Sequence, residues 1–382
     1  MVLINHAPAV RRRPEVRVPA GNSPRDSLWS AAKPVERGQE VAVKRPTIAD
    51  IALRAGVTKS AVSFALNGRP GVSETTRGRI LAIAAEVGWQ PSSAARALAD
   101  GRAGALGLVV DRPARTLGIE PFFMQLISGI EGELAAREVA LLLQVTEDRS
   151  AQLATYRRWW AGRRVDGVFL VDLHVDDARA ELLRDLGMPA VVIGGPDGLS
   201  GLPGVWNDEA AAVRSVVEYL AALGHHRIAR VAGLSGLRHT LVRTTAFEAV
   251  AGELGVTPVV VGTDYTGEEG AQATRSLLAS AEPPSAIVYD NDIMAVAGLS
   301  VAAEMGVPVP GRLSIVAWDD SVLCRLVHPP LTAVSLDVPA YGAHVARRLL
   351  DLVAGEEVAG ACNATPVLVP RASTAPIRPG GA

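Results

Sequence analysis

Cysteine is almost absent: Cys324 and Cys362 are the only two in 382 residues. They build neither a disulfide framework nor the paired Cys/His spacing of a zinc site, and they read as reduced thiols of a cytosolic protein. Long apolar runs are lacking too, although 48% of the residues are hydrophobic. No stretch approaches the roughly 18 uninterrupted apolar residues of a membrane-spanning helix, so membrane insertion is not expected. Arg11-Arg12-Arg13 is followed by a Pro-rich polar stretch instead of the apolar core of a secretory signal, which argues against export and for a cytoplasmic protein. A Walker loop, a dinucleotide-binding glycine fingerprint, a nucleophile elbow and a metal-ligand cluster are all missing. Neither an enzymatic activity nor a cofactor or metal is expected.

What is present is an uneven charge. Residues 1–102 carry 16 Lys and Arg against 8 Asp and Glu, whereas the remainder carries 22 against 32. A basic head on an acidic body suits a head that meets a polyanion, because each cation near a phosphate releases condensed counterions. Charge of this kind also occurs as ordinary solvated surface, so motifs must decide.

A chain of this length predicts a small module joined to a two-lobed body of ~250–300 residues. Residues 1–45 mix Pro, Arg, Ser and Gly without periodicity and read as a disordered extension. Residues 46–90 place apolar residues at helical spacing in three short segments, with turns near Gly56 and Asn67-Gly68-Arg69-Pro70-Gly71. Residues 91–103 read as a fourth short helix from Pro91 to Leu98 and a linker flanked by Gly101 and Gly104. From Ala105 short β-rich runs alternate with amphipathic helices, the pattern of a parallel sheet covered on both faces. Strands are predicted at Ala105–Val110, Ala140–Val145, Gly167–Val171, Ala190–Ile193, Ile228–Ala232, Pro258–Val261, Ala286–Tyr289 and Ser314–Ala317. Eight strands divide into two lobes within residues 104–375: the first about 104–205 and 336–366, the second about 206–335 and 367–375, before a tail at 376–382.

Residues 47–67, TIADIALRAGVTKSAVSFALN, read as a helix-turn-helix. Thr47 and Asp50 form a capping box, Gly56 makes the turn, and Thr58 caps the second helix. Ile48, Ile51, Ala52, Ala55, Val57, Val62, Ala65 and Leu66 are the buried side, which leaves Lys59, Ser60, Ser63 and Phe64 facing outward. That outward set stands where such a helix enters a major groove. Lys59 can reach a guanine edge or a phosphate, Ser60 and Ser63 can bond bases or backbone, and Phe64 can press on a thymine methyl or pack against the third helix.

This stretch resembles the helix-turn-helix of the lactose-repressor/galactose-repressor family. The resemblance continues through residues 72–98, VSETTRGRILAIAAEVGWQPSSAARAL, with its Gly88-Trp89 turn and a hinge helix from Pro91. It reaches nearly all of residues 46–375, through LGLVV, Gly224-His225-His226-Arg227-Ile228, DNDIMAVAGL, VPGRLSIVAWDD, PPLTAV and VPRASTAP. It implies a small all-α helix-turn-helix DNA-binding domain with a hinge helix, followed by an α/β two-lobed, periplasmic-binding-protein-like domain. It also implies a homodimeric repressor on double-stranded, pseudo-palindromic operator DNA, controlled by a small effector, a sugar foremost. The DNA-contacting set it implies is Thr47, Thr58, Lys59, Ser60, Ser63, Phe64, Asn67, Ser92, Ala95 and Leu98, with Leu98 wedging a base step in the minor groove. Many members carry Arg at the place of Phe64, so base preference differs there.

Polar residues also follow the apolar runs at Asp111, Asp172, Gly194-Gly195, Asp290-Asn291-Asp292 and Asp319-Asp320, where ligands bind open parallel sheets. By position in the family, Arg243 and Asp319 are effector contacts, Asn291 is a polar pocket residue and Phe122-Phe123 supply an aromatic. Trp318 stands where Phe or Tyr is usual. Asp111, Asp172 and His174 lie in loops expected near the cleft. Trp206-Asn207-Asp208 departs from the family's usual Asp-Asn order, and His225 and His226 read as structural. The alternative is a sugar-binding transport-type protein without DNA function, against which the basic head argues.

Overall fold

The computed structural model describes residues 46–89, 101–112, 118, 120–195 and 201–377. The extension 1–45, the hinge residues Ser92, Ala95 and Leu98, and the end of the tail lie outside the described residues. The chain divides into two compact units after Gln90.

Among its described residues the first unit has three helices, α1 (Ile48–Ala55), α2 (Lys59–Leu66) and α3 (Glu74–Glu86). Thr47 Oγ1 accepts from the Asp50 amide at 3.3 Å while the Asp50 carboxylate accepts from the Thr47 amide at 2.8 Å, a reciprocal cap that satisfies two orphan donors. Gly56 sits at φ 65°, a left-handed turn open to glycine, and ends α1. Thr58 and Ser73 cap the next two helices. Ile51, Val62 and Ile80 are wholly buried where the three helices meet, each contributing about 1.5–3 kcal/mol.

A contact with no sequence signature ties the unit together. The Arg77 guanidinium on α3 donates to the carbonyls of Ala65 at 3.0 Å, in the last turn of α2, and of Arg69 at 2.8 Å, in the loop that follows it. Arg77→Ala should destabilise this unit by about 1.5–3 kcal/mol, the worth of charge-assisted hydrogen bonds, read as an earlier loss of helical signal on heating. An unchanged melting profile would show that water replaces the contact.

The second unit holds two six-stranded sheets. One runs β11-β5-β4-β3-β1-β2 and the other β12-β10-β9-β8-β6-β7, where β1 to β12 are Ala105–Val110, Ala140–Val145, Gly167–Leu170, Ala190–Ile193, Gly204–Asn207, Arg227–Ala232, Thr257–Gly262, Ala286–Tyr289, Ser314–Asp319, Thr332–Ser335, Ala361–Ala364 and Val367–Val369. Central strands such as β3 and β4 are buried along their whole length, as expected where helices cover both faces. Among the described strands only β12 runs antiparallel to its neighbour. The chain passes between the sheets after β5, β10 and β11. Four strands therefore join the eight expected: β5, β10, β11 and β12. Strand β9 also runs on through Trp318 and Asp319, two residues beyond the expected end. In each sheet the winding reverses beside the first strand, between β1 and β3 and between β6 and β8, and at such switch points the carboxyl ends of the strands open a crevice.

Candidate functional site

The two lobes enclose a cavity of about 390 Å³ at the carboxyl ends of both sheets. The backbone there is unusual. Asp172, Tyr265 and Asp319 line the cavity with φ of 53°, 71° and 78°, left-handed conformations that L-residues hold only when their surroundings impose them.

On the first lobe, Arg112 follows β1 and grips Asp172, which follows β3: Nε donates to Oδ2 at 2.8 Å and Nη2 to Oδ1 at 3.1 Å. Burial would raise the Asp172 carboxyl, but Arg112 overrides it and holds it at about 2. Glu120 caps the helix Pro121–Ala135 without a side-chain capping bond. Phe122 and Phe123 follow it on the cavity wall, and Phe123 is fully buried.

On the second lobe, the helix Arg238–Glu253 delivers Arg243. Its Nε donates to Glu209 at 2.6 Å and its guanidinium stacks 4.3 Å over the Trp318 ring, so the fork is fixed in orientation before any ligand arrives. Asp319 stands next to Trp318. Burial first, and then the charge of Asp292, push its carboxyl well above the usual range. Beneath them lies a fully buried pair, in which Arg230 donates to Asp290 at 2.9 and 2.6 Å and to Thr244 Oγ1 at 2.6 Å. Gly233 donates its amide to Asp290 at 2.9 Å; a Cβ at Gly233 would fall 1.8 Å from the Tyr265 ring, so only glycine lets Tyr265 lie there.

Among the described residues several contacts cross between the lobes. The Arg112 guanidinium lies 4.8 Å over the Tyr265 ring. At the cleft margin His174 and Leu237 form an antiparallel bridge, flanked by Arg238 N–H to Leu173 O at 2.8 Å and Val175 N–H to Gly236 O at 3.2 Å. His239 is pulled down to about 4, by burial first and then by Arg243. It is therefore neutral near pH 7 when it meets Tyr265 Oη at 2.7 Å.

Burial pushes the Glu120 carboxyl up to about 7 against the pull of Arg112. The native chain then holds a proton that the unfolded chain gives up near 4.5, so stability falls as pH rises from about 4.5 to about 7. Glu120→Gln should add up to about 3 kcal/mol at pH 8 and almost nothing at pH 4, measured by urea unfolding at the two pH values. Equal effects at both would mean that Glu120 does not titrate in this window.

On the first unit, Lys59 and Ser60 are exposed at the start of α2 and Ser63 is half-buried. Phe64 keeps 38% exposure, with its ring edge against Gly71: the ring leans on the loop after α2 and still presents a face to solvent. Thr47 and Thr58 spend their hydroxyl oxygens on helix caps, and Asn67 donates to Ser63 at 3.4 Å.

Residues 47–92 match the family described as bacterial regulatory proteins, lacI family, and residues 217–374 match the periplasmic binding protein-like domain. The chain is 32% identical over 319 residues to the HTH-type transcriptional regulator CelR of Thermobifida fusca, across 82% of this chain and 93% of that one. The chain belongs to the LacI family. It is a helix-turn-helix transcriptional regulator with a two-sheet, periplasmic-binding-protein-like body. A LacI-family regulator from Bifidobacterium animalis subsp. lactis shares its fold with a TM-score of 0.68 at 38% identity, over 72% of this chain and all of that one. The CelR–cellobiose complex gives 0.66 at 29%, over 86% and 100%. The lac repressor dimer bound to operator and an anti-inducer gives 0.78 at 24%, over 87% and 100%, a likeness of fold. No helix among the described residues is long and apolar enough to cross a membrane.

For this LacI-family chain the cleft gathers Phe122, Phe123, Asp172, Arg243, Trp318 and Asp319 from the effector set. It does not gather Asn291 or Asp111. Asn291 caps the helix Asp292–Glu304, its Oδ1 accepting from Met294 N–H at 2.9 Å while its Nδ2 donates to Tyr265 O at 3.0 Å; it is a scaffold for the wall. Asp111 is half-buried at the end of β1 and is not among the lining residues. Trp206, Asn207 and Asp208, despite their departure from the family order, do line the cleft, and His174 serves the margin bridge. Arg112, Glu120, Glu209, His239 and Tyr265 carried no sequence signal. His225 pairs with Ser285 at 2.9 Å and is not among the lining residues.

Proposed function

We propose that this regulator represses transcription in the cytoplasm as a homodimer on a pseudo-palindromic operator, and that a small polyhydroxylated effector, a sugar foremost, controls it through the interlobe cleft. The observation that carries the effector half is the wall made by Arg243, Trp318 and Asp319: an oriented fork of donors, an aromatic face and a carboxylate that accepts two hydroxyls. CelR, a relative, is solved with cellobiose. The DNA half rests on Lys59 and Ser60 exposed at the start of α2, in a basic head. Lys59, Ser60, Ser63 and Phe64 read the major groove; Ser92, Ala95 and Leu98 supply the minor-groove hinge.

The dimer has a surface to use. Edge strands β2 and β7 expose Leu143, Val145 and Val260, and an uncovered apolar edge is a place for pairing. Coupling needs only an effector that prefers one lobe arrangement, and ~1–3 kcal/mol of preference is typical. Such a preference changes how the bodies hold two hinges at the operator.

Selection of genomic fragments on the purified chain tests the DNA half. Enrichment of a short palindrome, bound two chains per site and weakened by salt, supports it. No enrichment even at low salt would leave the cleft as that of a free-standing binder.

A further inference from the structure

Among the described residues, two cleft atoms have no hydrogen-bond partner, Glu120 Oε2 and Arg112 Nη1. Both residues line the cavity and both are more than nine-tenths buried, at 6% and 5% exposed. An unsatisfied carboxylate oxygen or guanidinium N–H in such a place is costly, and a buried exception of this kind points to something that binds there. The two do not satisfy one another. Each feels the other's charge, but the ion pair of Arg112 runs to Asp172. Nor is Arg112 free to turn, since Nε and Nη2 are held by Asp172 and its face by Tyr265.

Taking the cleft as the effector site, we propose that Arg112 and Glu120 form a specificity pair that reads an uncharged hydroxyl of the effector, its oxygen accepting from Arg112 Nη1 and its hydrogen donated to Glu120 Oε2. The selection follows from charge. Above about pH 7, where Glu120 has given up its proton, a carboxylate or phosphate suits Arg112 and meets the Glu120 carboxylate head-on, whereas an ammonium suits Glu120 and is repelled by Arg112. A hydroxyl, or two vicinal ones, both donates and accepts without net charge and satisfies both. At this end of the cleft the pair therefore excludes uronates, sugar phosphates and amino sugars, a rejection that a site of unpaired buried polar groups enforces strongly. Asp319 and Arg243, on the other lobe, grip the far side of the same molecule. A ligand that bridges them to Arg112 and Glu120 favours the closed arrangement.

The test is calorimetric titration at pH 8, where Glu120 is ionised, of the full chain with cellobiose, maltose, glucose and ribose and with amino, uronate and phosphate derivatives of each. The wild type is expected to bind a neutral sugar at least tenfold more tightly than its charged derivatives. Glu120→Gln should weaken the neutral sugar about tenfold and improve at least one anionic derivative. Arg112→Lys, which retains charge but loses the forked donor, should also weaken the neutral sugar about tenfold without that shift toward anions. If a neutral sugar binds and both variants hold every affinity within twofold, the pair is overturned while the effector reading stands. Binding of a charged derivative alone does the same. If nothing in the panel binds, the effector reading falls and the pair falls with it.

Discussion

Arg230→Ala should cost about 3–5 kcal/mol of the second unit's stability. The substitution strips a wholly buried aspartate of both bonds from its guanidinium partner, and an uncompensated buried charge is worth that much. Asp290 would keep the Gly233 amide, and Arg243 would stand 3.9 Å away, already committed to Glu209. The loss reaches the cleft because Asp290 lines it and supports Gly233, over which Tyr265 lies. Urea unfolding followed by tryptophan fluorescence measures it. Arg230→Met combined with Asp290→Leu should recover most of the loss, since exchanging a whole buried pair for apolar groups is often close to neutral. A single variant as stable as the parent would show that the Asp290 charge is relieved by other means. The pH dependence has its own sign: burial would raise Asp290, but Arg230 and Arg243 outweigh it and lower the carboxyl. Its contribution is present above the ordinary aspartate range and is lost as pH falls through the depressed value.

Asp319→Asn should weaken effector binding by at least tenfold, and by about a hundredfold if both hydroxyl bonds depend on the charge, because charge-assisted bonds contribute about 1.5–3 kcal/mol each. Asparagine is the informative replacement. At φ 78° an alanine would add backbone strain, whereas Asn tolerates this region and preserves the side-chain shape. The stability change should run opposite to that of Arg230→Ala. Burial and Asp292 disfavour the Asp319 carboxylate, so removing its charge should leave the melting temperature equal or higher. Weakened binding with an intact or raised melting temperature separates a ligand contact from a scaffold residue. Unchanged affinity would remove Asp319 from the effector site.

Much of the fold can be read along the chain because its signals are local. The Thr47 cap, the Gly56 turn and the helical spacing of Ile51, Val62 and Ile80 lie within one short segment, and the central strands are unbroken apolar runs. The four strands not anticipated carry weaker signals. Gly204–Asn207 and Ala361–Ala364 mix Gly, Asn and Cys with apolar residues, Thr332–Ser335 has polar ends, and Val367–Val369 is three residues long. Part of their pairing is distant in sequence, as when β5 pairs with β11. The cleft divides in the same way. Arg243, Trp318 and Asp319 could be placed through family resemblance, and Asp172 through its position at a strand end. Arg112 could not: before a proline, an arginine reads as a solvated loop residue, and it is buried here only because Asp172 waits sixty residues on. Asn291 is ambiguous for the opposite reason, since a helix cap and a pocket residue can occupy the same strand end, and its side chain does form the cap.

The most direct test of the account is titration of the sugar panel into the complex of the full chain with its selected operator, followed by fluorescence anisotropy of the DNA. The account predicts that one neutral sugar changes operator affinity at least fivefold, that Asp319→Asn requires at least tenfold more of that sugar, and that random DNA of equal length shows no response. A sugar that binds the cleft yet leaves operator affinity unchanged would contradict it, because the cleft and the DNA-reading head would then be uncoupled.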